Sequence, residues 1–134
     1  MSERERILIV EDDTELRETL QDVLEELGYE VSSAKDGVDA LQQLLAARQR
    51  PNLILLDLQM PNMDGAAFRT EQLKREELAD IPVAVLSGDS DAQAKADALH
   101  TAACLQKPLK LLQLLTTIPR VIVSPLPEPE EETR

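Results

Sequence analysis

A chain of 134 residues, 43% hydrophobic and 30% charged, is long enough for one domain with a core of its own. A net charge of −12 and only two aromatics, Tyr29 and Phe68, argue against phosphate neutralisation and base stacking, so no nucleic-acid contact is expected. The single Cys104 allows no internal disulfide and no cysteine-held zinc. The charged start Met1–Arg6, followed by four apolar residues, predicts neither a signal peptide nor a membrane span, and a reducing cytoplasm is the expected compartment.

In chain order, Ile7 to Val10 reads as a buried strand that stops at Glu11-Asp12-Asp13. Leu16, Leu20, Val23, Leu24 and Leu27 then recur at helical spacing, with Gly28 as the stop. Tyr29 to Ser33 predicts a short strand, and Val38 to Arg48 a second helix. Leu53-Ile54-Leu55-Leu56 is an apolar run bounded by turn residues, which predicts a strand buried on both faces and ending at Asp57. A third helix follows Gly65, with the least regular periodicity of the set. Ile81 to Ser87 predicts a fourth strand. The next helix carries only Ala92, Ala96 and Leu99 at the right spacing. A fifth strand, about Ala102 to Gln106, ends at Lys107-Pro108, and a fifth helix runs from Leu109 to Ile118. This alternation predicts an α/β domain, a doubly wound five-stranded parallel sheet with helices on both faces. Residues 1–118 are expected to form the domain and residues 119–134, rich in Pro and Glu, a disordered acidic tail.

Ligands of doubly wound sheets bind at the carboxyl ends of strands. Strands one, three, four and five end in Asp12-Asp13, Asp57, Ser87 and Lys107. Three carboxylates held together repel by roughly 3 kcal/mol per pair at an effective dielectric of about 20. One lysine offsets part of this, and the remaining formal charge suits one divalent cation. An all-oxygen donor set favours Mg²⁺. A hydroxyl and an ammonium beside such a centre suit phosphoryl transfer, with Asp57, alone on the central strand, as the nucleophile. Each residue also has a plainer reading. Asp12 or Asp13 could cap the first helix, Asp57 could initiate a turn, Ser87 could cap a helix, and Lys107 could be a solvated lysine.

Together, the Glu11-Asp12-Asp13 cluster, Asp57 with Met60-Pro61 and Met63-Asp64-Gly65, Ser87 and Lys107-Pro108 resemble the response regulator receiver domains. The resemblance implies a flavodoxin-like sheet in the order 2-1-3-4-5. It implies that Asp57 accepts a phosphoryl group from a histidine of a sensor kinase or phosphotransfer protein. Asp13, Asp57 and the Gln59 carbonyl would bind Mg²⁺ directly, and Asp12 through water. Ser87 and Lys107 would each hold a phosphate oxygen, with a cis peptide at Lys107–Pro108. The sequence departs from the family at Cys104, where Tyr or Phe is common, and at His100, where Gly is frequent. His100 is expected at an exposed helix end and Cys104 as a small core residue.

The expectation is therefore a single-domain response regulator that switches protein–protein contacts and is not a turnover enzyme. The alternative is an interaction module of the same fold that works without phosphorylation. A phosphohydrolase would want an acid at Gln59, and a dinucleotide enzyme a Gly-rich turn in place of Glu11-Asp12-Asp13. Leu109, Leu111, Leu112, Leu114, Leu115 and Ile118 exceed one core-facing stripe. Val121-Ile122-Val123 is expected to cover the surplus by packing back or by joining a homodimer through helix 4, strand 5 and helix 5.

Overall fold

The computed structural model describes residues 4–122. Strands β1 (Arg6–Val10), β2 (Glu30–Ala34), β3 (Leu53–Asp57), β4 (Val83–Ser87) and β5 (Ala103–Gln106) form one parallel sheet in the order β2-β1-β3-β4-β5. Helices α1 (Thr14–Glu26), α2 (Gly37–Ala46), α3 (Gly65–Lys74), α4 (Ala92–Ala98) and α5 (Leu111–Val121) connect and follow them. The expected doubly wound α/β architecture and its strand order hold. Because β1 lies between β2 and β3, the order reverses there, and a crevice opens at the carboxyl ends of β1 and β3.

Alternation along the strands sorts the core into two layers. Ile7, Ile9, Leu53, Leu55, Ala84 and Leu86 pack with Leu20 and Leu24 of α1 and Leu114 and Ile118 of α5. Leu8, Val10, Ile54, Leu56, Val83 and Val85 pack with residues of α2, α3 and α4, Phe68 among them. All five positions of β3 are buried, as its unbroken apolar run requires.

Carboxylates start the first three helices. Asp13, Asp36 and Asp64 accept from the backbone N–H groups of Leu16, Asp39 and Ala67 at 3.2, 2.8 and 2.8 Å. Gly28 takes φ +103° just after α1. His100 closes α4 with φ +56°, which explains why this position suits glycine; it is exposed, as expected.

Two elements differ from the sequence reading. The apolar period of α3 is irregular because its buried face is partly polar: Arg69 and Gln72 are enclosed, and Gln72 Nε2 donates to Leu78 O and Ile81 O at 2.9 and 3.0 Å. Helix α5 starts two residues later than expected and runs through Pro119 to Val121. Pro119 has no N–H for Leu115 O and its ring crowds that carbonyl, so local sequence opposes the helix there; Val121 and Ile122 pack against the α1/α5 layer, and that burial outweighs the loss. Val121 and Ile122 thus extend the core-facing side of α5 and do not cover its surplus leucines, so the expected cover is not seen among the described residues; Val123 and the expected acidic tail beyond it lie outside them. Leu111, Leu112 and Leu115 stay exposed.

Truncation at fully buried Leu55 is expected to cost about 2–5 kcal/mol. The same change at Leu112, 70% exposed, should stay within about 0.5 kcal/mol. Urea unfolding of Leu55→Ala and Leu112→Ala checks both.

Candidate functional site at the strand carboxyl ends

The site grows out of strand register. Ile9 pairs with Leu55 and Val10 with Leu56, so the next residue, Glu11, comes level with Asp57. Both side chains then emerge on one face, and both are buried, at 0% and 2% exposure. Asp12 follows at the rim. Carboxylate oxygens of Glu11, Asp12 and Asp57 lie within 4.8 Å of one another. On the other side, β5 hands over to Lys107, whose N–H donates to Ser87 O at 2.8 Å. Its Nζ stands 3.1 Å from Glu11 Oε1 and 3.5 Å from Asp57 Oδ1. The peptide bond between Lys107 and Pro108 is cis, as the resemblance implied.

This arrangement corrects one expectation. Asp13 does not join the acidic group. The chain turns into α1 there, so the Asp13 carboxylate caps that helix, and its N–H donates to Glu11 Oε2 at 3.1 Å. Glu11 takes its place. The plainer reading of Asp13 as a helix cap is therefore the one its geometry supports. Ser87 is 1% exposed at the end of β4, and its Oγ accepts from Asp89 N–H at 3.1 Å. Gln59 N–H donates to Asp57 Oδ1 at 3.2 Å. Arg17, missed in the sequence, folds inward from α1, and its Nη1 donates to Glu11 O at 2.7 Å. An Arg four residues after a helix-capping Asp was the available signal.

The turn after β3 depends on Gly65. A Cβ there would lie 2.6 Å from Asp57 O and 2.7 Å from Leu58 Cα, so any side chain would push the loop off the strand end. The Gly65 N–H donates to Leu58 O at 3.1 Å and seals this approach.

Burial governs the electrostatics. It raises the Glu11 carboxyl to about 7, against the Asp13 N–H that stabilises the anion; the Asp57 charge adds to the rise. Asp57 is raised as well, first by burial, with the Gln59 N–H and Lys107 opposing. Burial would lower Lys107, but the Glu11 and Asp57 carboxylates hold it above its ordinary value. Two buried carboxylates thus share one ammonium. The buried Glu11 carboxylate is met by Lys107 Nζ at Oε1 and by the Asp13 N–H at Oε2. A cluster of hard oxygen donors with an excess of negative charge fits Mg²⁺.

A doubly wound sheet with its acidic group at the β1/β3 switch point defines a flavodoxin-like domain of the two-component signalling type. The family model for the response regulator receiver domain matches residues 7–119, and the chain belongs to that family. Among curated proteins it is 36% identical over 130 residues to the response regulator MprA of Mycobacterium leprae, covering 96% of this chain and 55% of that one. It is 35% identical over 115 residues to the DNA-binding dual master transcriptional regulator RpaA of Synechocystis, covering 84% and 47%. The chain spans about half the length of these relatives. Among solved structures, the chemotaxis protein CheY4 of Vibrio cholerae superposes with TM-score 0.81 at 29% identity, over 89% of this chain and 99% of that one. The response regulator TrrA of Thermotoga maritima, solved in complex with Mg²⁺ and BeF, gives TM-score 0.76 at 26% identity, over 87% and 97%.

The raised Glu11 value sets a pH dependence. Between its ordinary value of 4.5 and about 7, the folded chain keeps a proton that the unfolded chain has released. Stability of the metal-free protein should therefore fall as pH rises through that window, by at most roughly 3 kcal/mol, and then level off. Mg²⁺ requires ionised carboxylates, so it should stabilise more at about pH 8 than at about pH 5.5. Urea midpoints with chelator and with Mg²⁺ test both trends, and Glu11→Gln should flatten the first.

Proposed function

We propose that this chain is a phosphorylation-controlled switch that accepts a phosphoryl group on Asp57 from a phosphohistidine of a sensor kinase or phosphotransfer protein. The observation that carries this reading is the buried Asp57 carboxylate 3.5 Å from Lys107 and level with Glu11. An Asp57 oxygen attacks phosphorus, the P–N bond breaks, and the imidazole nitrogen leaves with the electron pair. Lys107 offsets charge on the transferring group. Ser87 Oγ accepts from Asp89 N–H, which leaves its hydroxyl proton to donate to a phosphoryl oxygen. Glu11, Asp12 and Asp57 would hold Mg²⁺, which when bound neutralises charge on the phosphoryl oxygens. The group is taken up once per cycle, so the chain is not a turnover enzyme.

Output through protein contacts fits the exposed Leu111, Leu112 and Leu115 of α5, which suit a homodimer or a downstream partner at the α4, β5 and α5 face. RpaA, by its name, binds DNA. The net charge of −12 argues that these 134 residues are not themselves a DNA-contacting part. No helix among the described residues is long and apolar enough to cross a membrane, which suits a cytoplasmic site of action. Cys104, half-buried where receiver domains commonly carry Tyr or Phe, supports a second reading in which partners bind without regard to Asp57.

Incubation with acetyl phosphate and Mg²⁺ should add one phosphoryl group to the wild type, seen by intact mass, and none to Asp57→Asn. A wild type that stays unmodified contradicts the switch. Partner capture of equal strength by both proteins would favour the second reading.

A further inference from the structure

Helix α4 is weakly seated by apolar packing. Its buried side chains are Ala92 and Ala96, and a groove of about 720 Å³ lies between its Lys95–Leu99 flank and the Gln59–Pro61 loop. Polar clamps hold it instead. At its far end the buried Arg69 of α3 donates from Nε to Leu99 O at 3.0 Å and from Nη2 to His100 O at 2.8 Å. Gln72 Oε1 steadies the guanidinium, accepting from Nη1 at 2.8 Å.

From the middle of the helix Lys95 reaches back toward its N-terminal end, pairing with Asp89 and lying 3.7 Å from Asp91. Both Asp89 oxygens accept from Gln59 Nε2, at 3.0 and 2.9 Å. Gln59 is also the residue whose N–H holds Asp57 Oδ1, and Asp89 is the residue whose N–H holds Ser87 Oγ. Gln106 Nε2 fixes the Asp89 carbonyl at 2.9 Å. A continuous series of contacts therefore runs from Asp57 and Ser87 to α4. A phosphoryl group on Asp57 would add negative charge on the Asp89 side of the site and draw on the same Gln59 and Ser87 groups.

We propose that Lys95 is a positioning residue: through Asp89 and Gln59 it ties the N-terminal part of α4 to the phosphoryl-accepting site, so that modification of Asp57 loosens that part while Arg69 holds the C-terminal end. Lys95 thereby gives α4 a link to the site that does not pass through the side chain at Cys104. The proposal rests on the phosphoacceptor reading of Asp57, and the test separates the two.

Hydrogen exchange at residues 92–99 is measured in wild type, Lys95→Met and Lys95→Arg, with Mg²⁺ alone and with Mg²⁺ and beryllofluoride. Fluorine NMR reports beryllofluoride binding independently. In the wild type the complex should raise exchange by about tenfold. Lys95→Met should show the raised exchange already with Mg²⁺ alone and gain less than about twofold from beryllofluoride, while still binding it. Lys95→Arg, which keeps the ion pair, should behave as wild type. Wild-type exchange in Lys95→Met with Mg²⁺ alone, or a full beryllofluoride response in that variant, would overturn the proposal. A wild type without a bound-fluoride signal would remove the phosphoacceptor reading and the coupling with it. The Mg²⁺-only comparison would still decide whether Lys95 anchors α4.

Discussion

Two buried carboxylates, Glu11 and Asp57, share the single ammonium of Lys107, and the site is organised around that imbalance. Charges enclosed this deeply are tolerated only with partners of opposite sign. Lys107 supplies one such partner from β5. Arg17 contributes less directly, by binding the Glu11 carbonyl. Burial first of all raises the Glu11 and Asp57 carboxyls, and the negative charge left over gives a divalent cation a place to act.

The fold exists in a form that keeps this group together. Parallel pairing of β1 with β3 sets Glu11 level with Asp57, and the pairing of β4 with β5 brings Lys107 beside Ser87. Gly65 lets α3 start directly against the Asp57 carbonyl, so the strand end cannot retreat from the crevice. The two apolar layers make the sheet rigid. The polar loops above it, joined by Gln59, Asp89 and Lys95, are held by fewer and more exposed contacts. Stability and responsiveness are thereby assigned to different parts of the chain.

Most of the fold was legible in the sequence because five apolar runs ending in turn residues admit few arrangements. Asp57, Ser87 and Lys107 were legible for the same reason, each standing at a strand end. The choice between Glu11 and Asp13 was not. Glu11 and Asp13 are two residues apart and would share a face in a continuing strand, so alternation does not separate them; what decides is where the chain leaves β1 for α1. Pairing with β3 settles it in favour of Glu11, and the leftover Asp13 satisfies the first turn of α1. Likewise, α3 hid its inner face because Arg69 and Gln72 are buried for their hydrogen bonds. The extension of α5 past Pro119 depended on tertiary burial of Val121 and Ile122, which local propensity does not register.

Magnesium affinity of two variants against the wild type decides which acid completes the site. Titration of Glu11→Gln, Asp13→Asn and the wild type, followed by backbone NMR, compares the two acids that the sequence leaves equivalent. Loss of the Glu11 charge should weaken Mg²⁺ binding by about tenfold or more, whereas Asp13→Asn should stay within about twofold of wild type. Weakening by Asp13→Asn with no effect of Glu11→Gln would contradict the account.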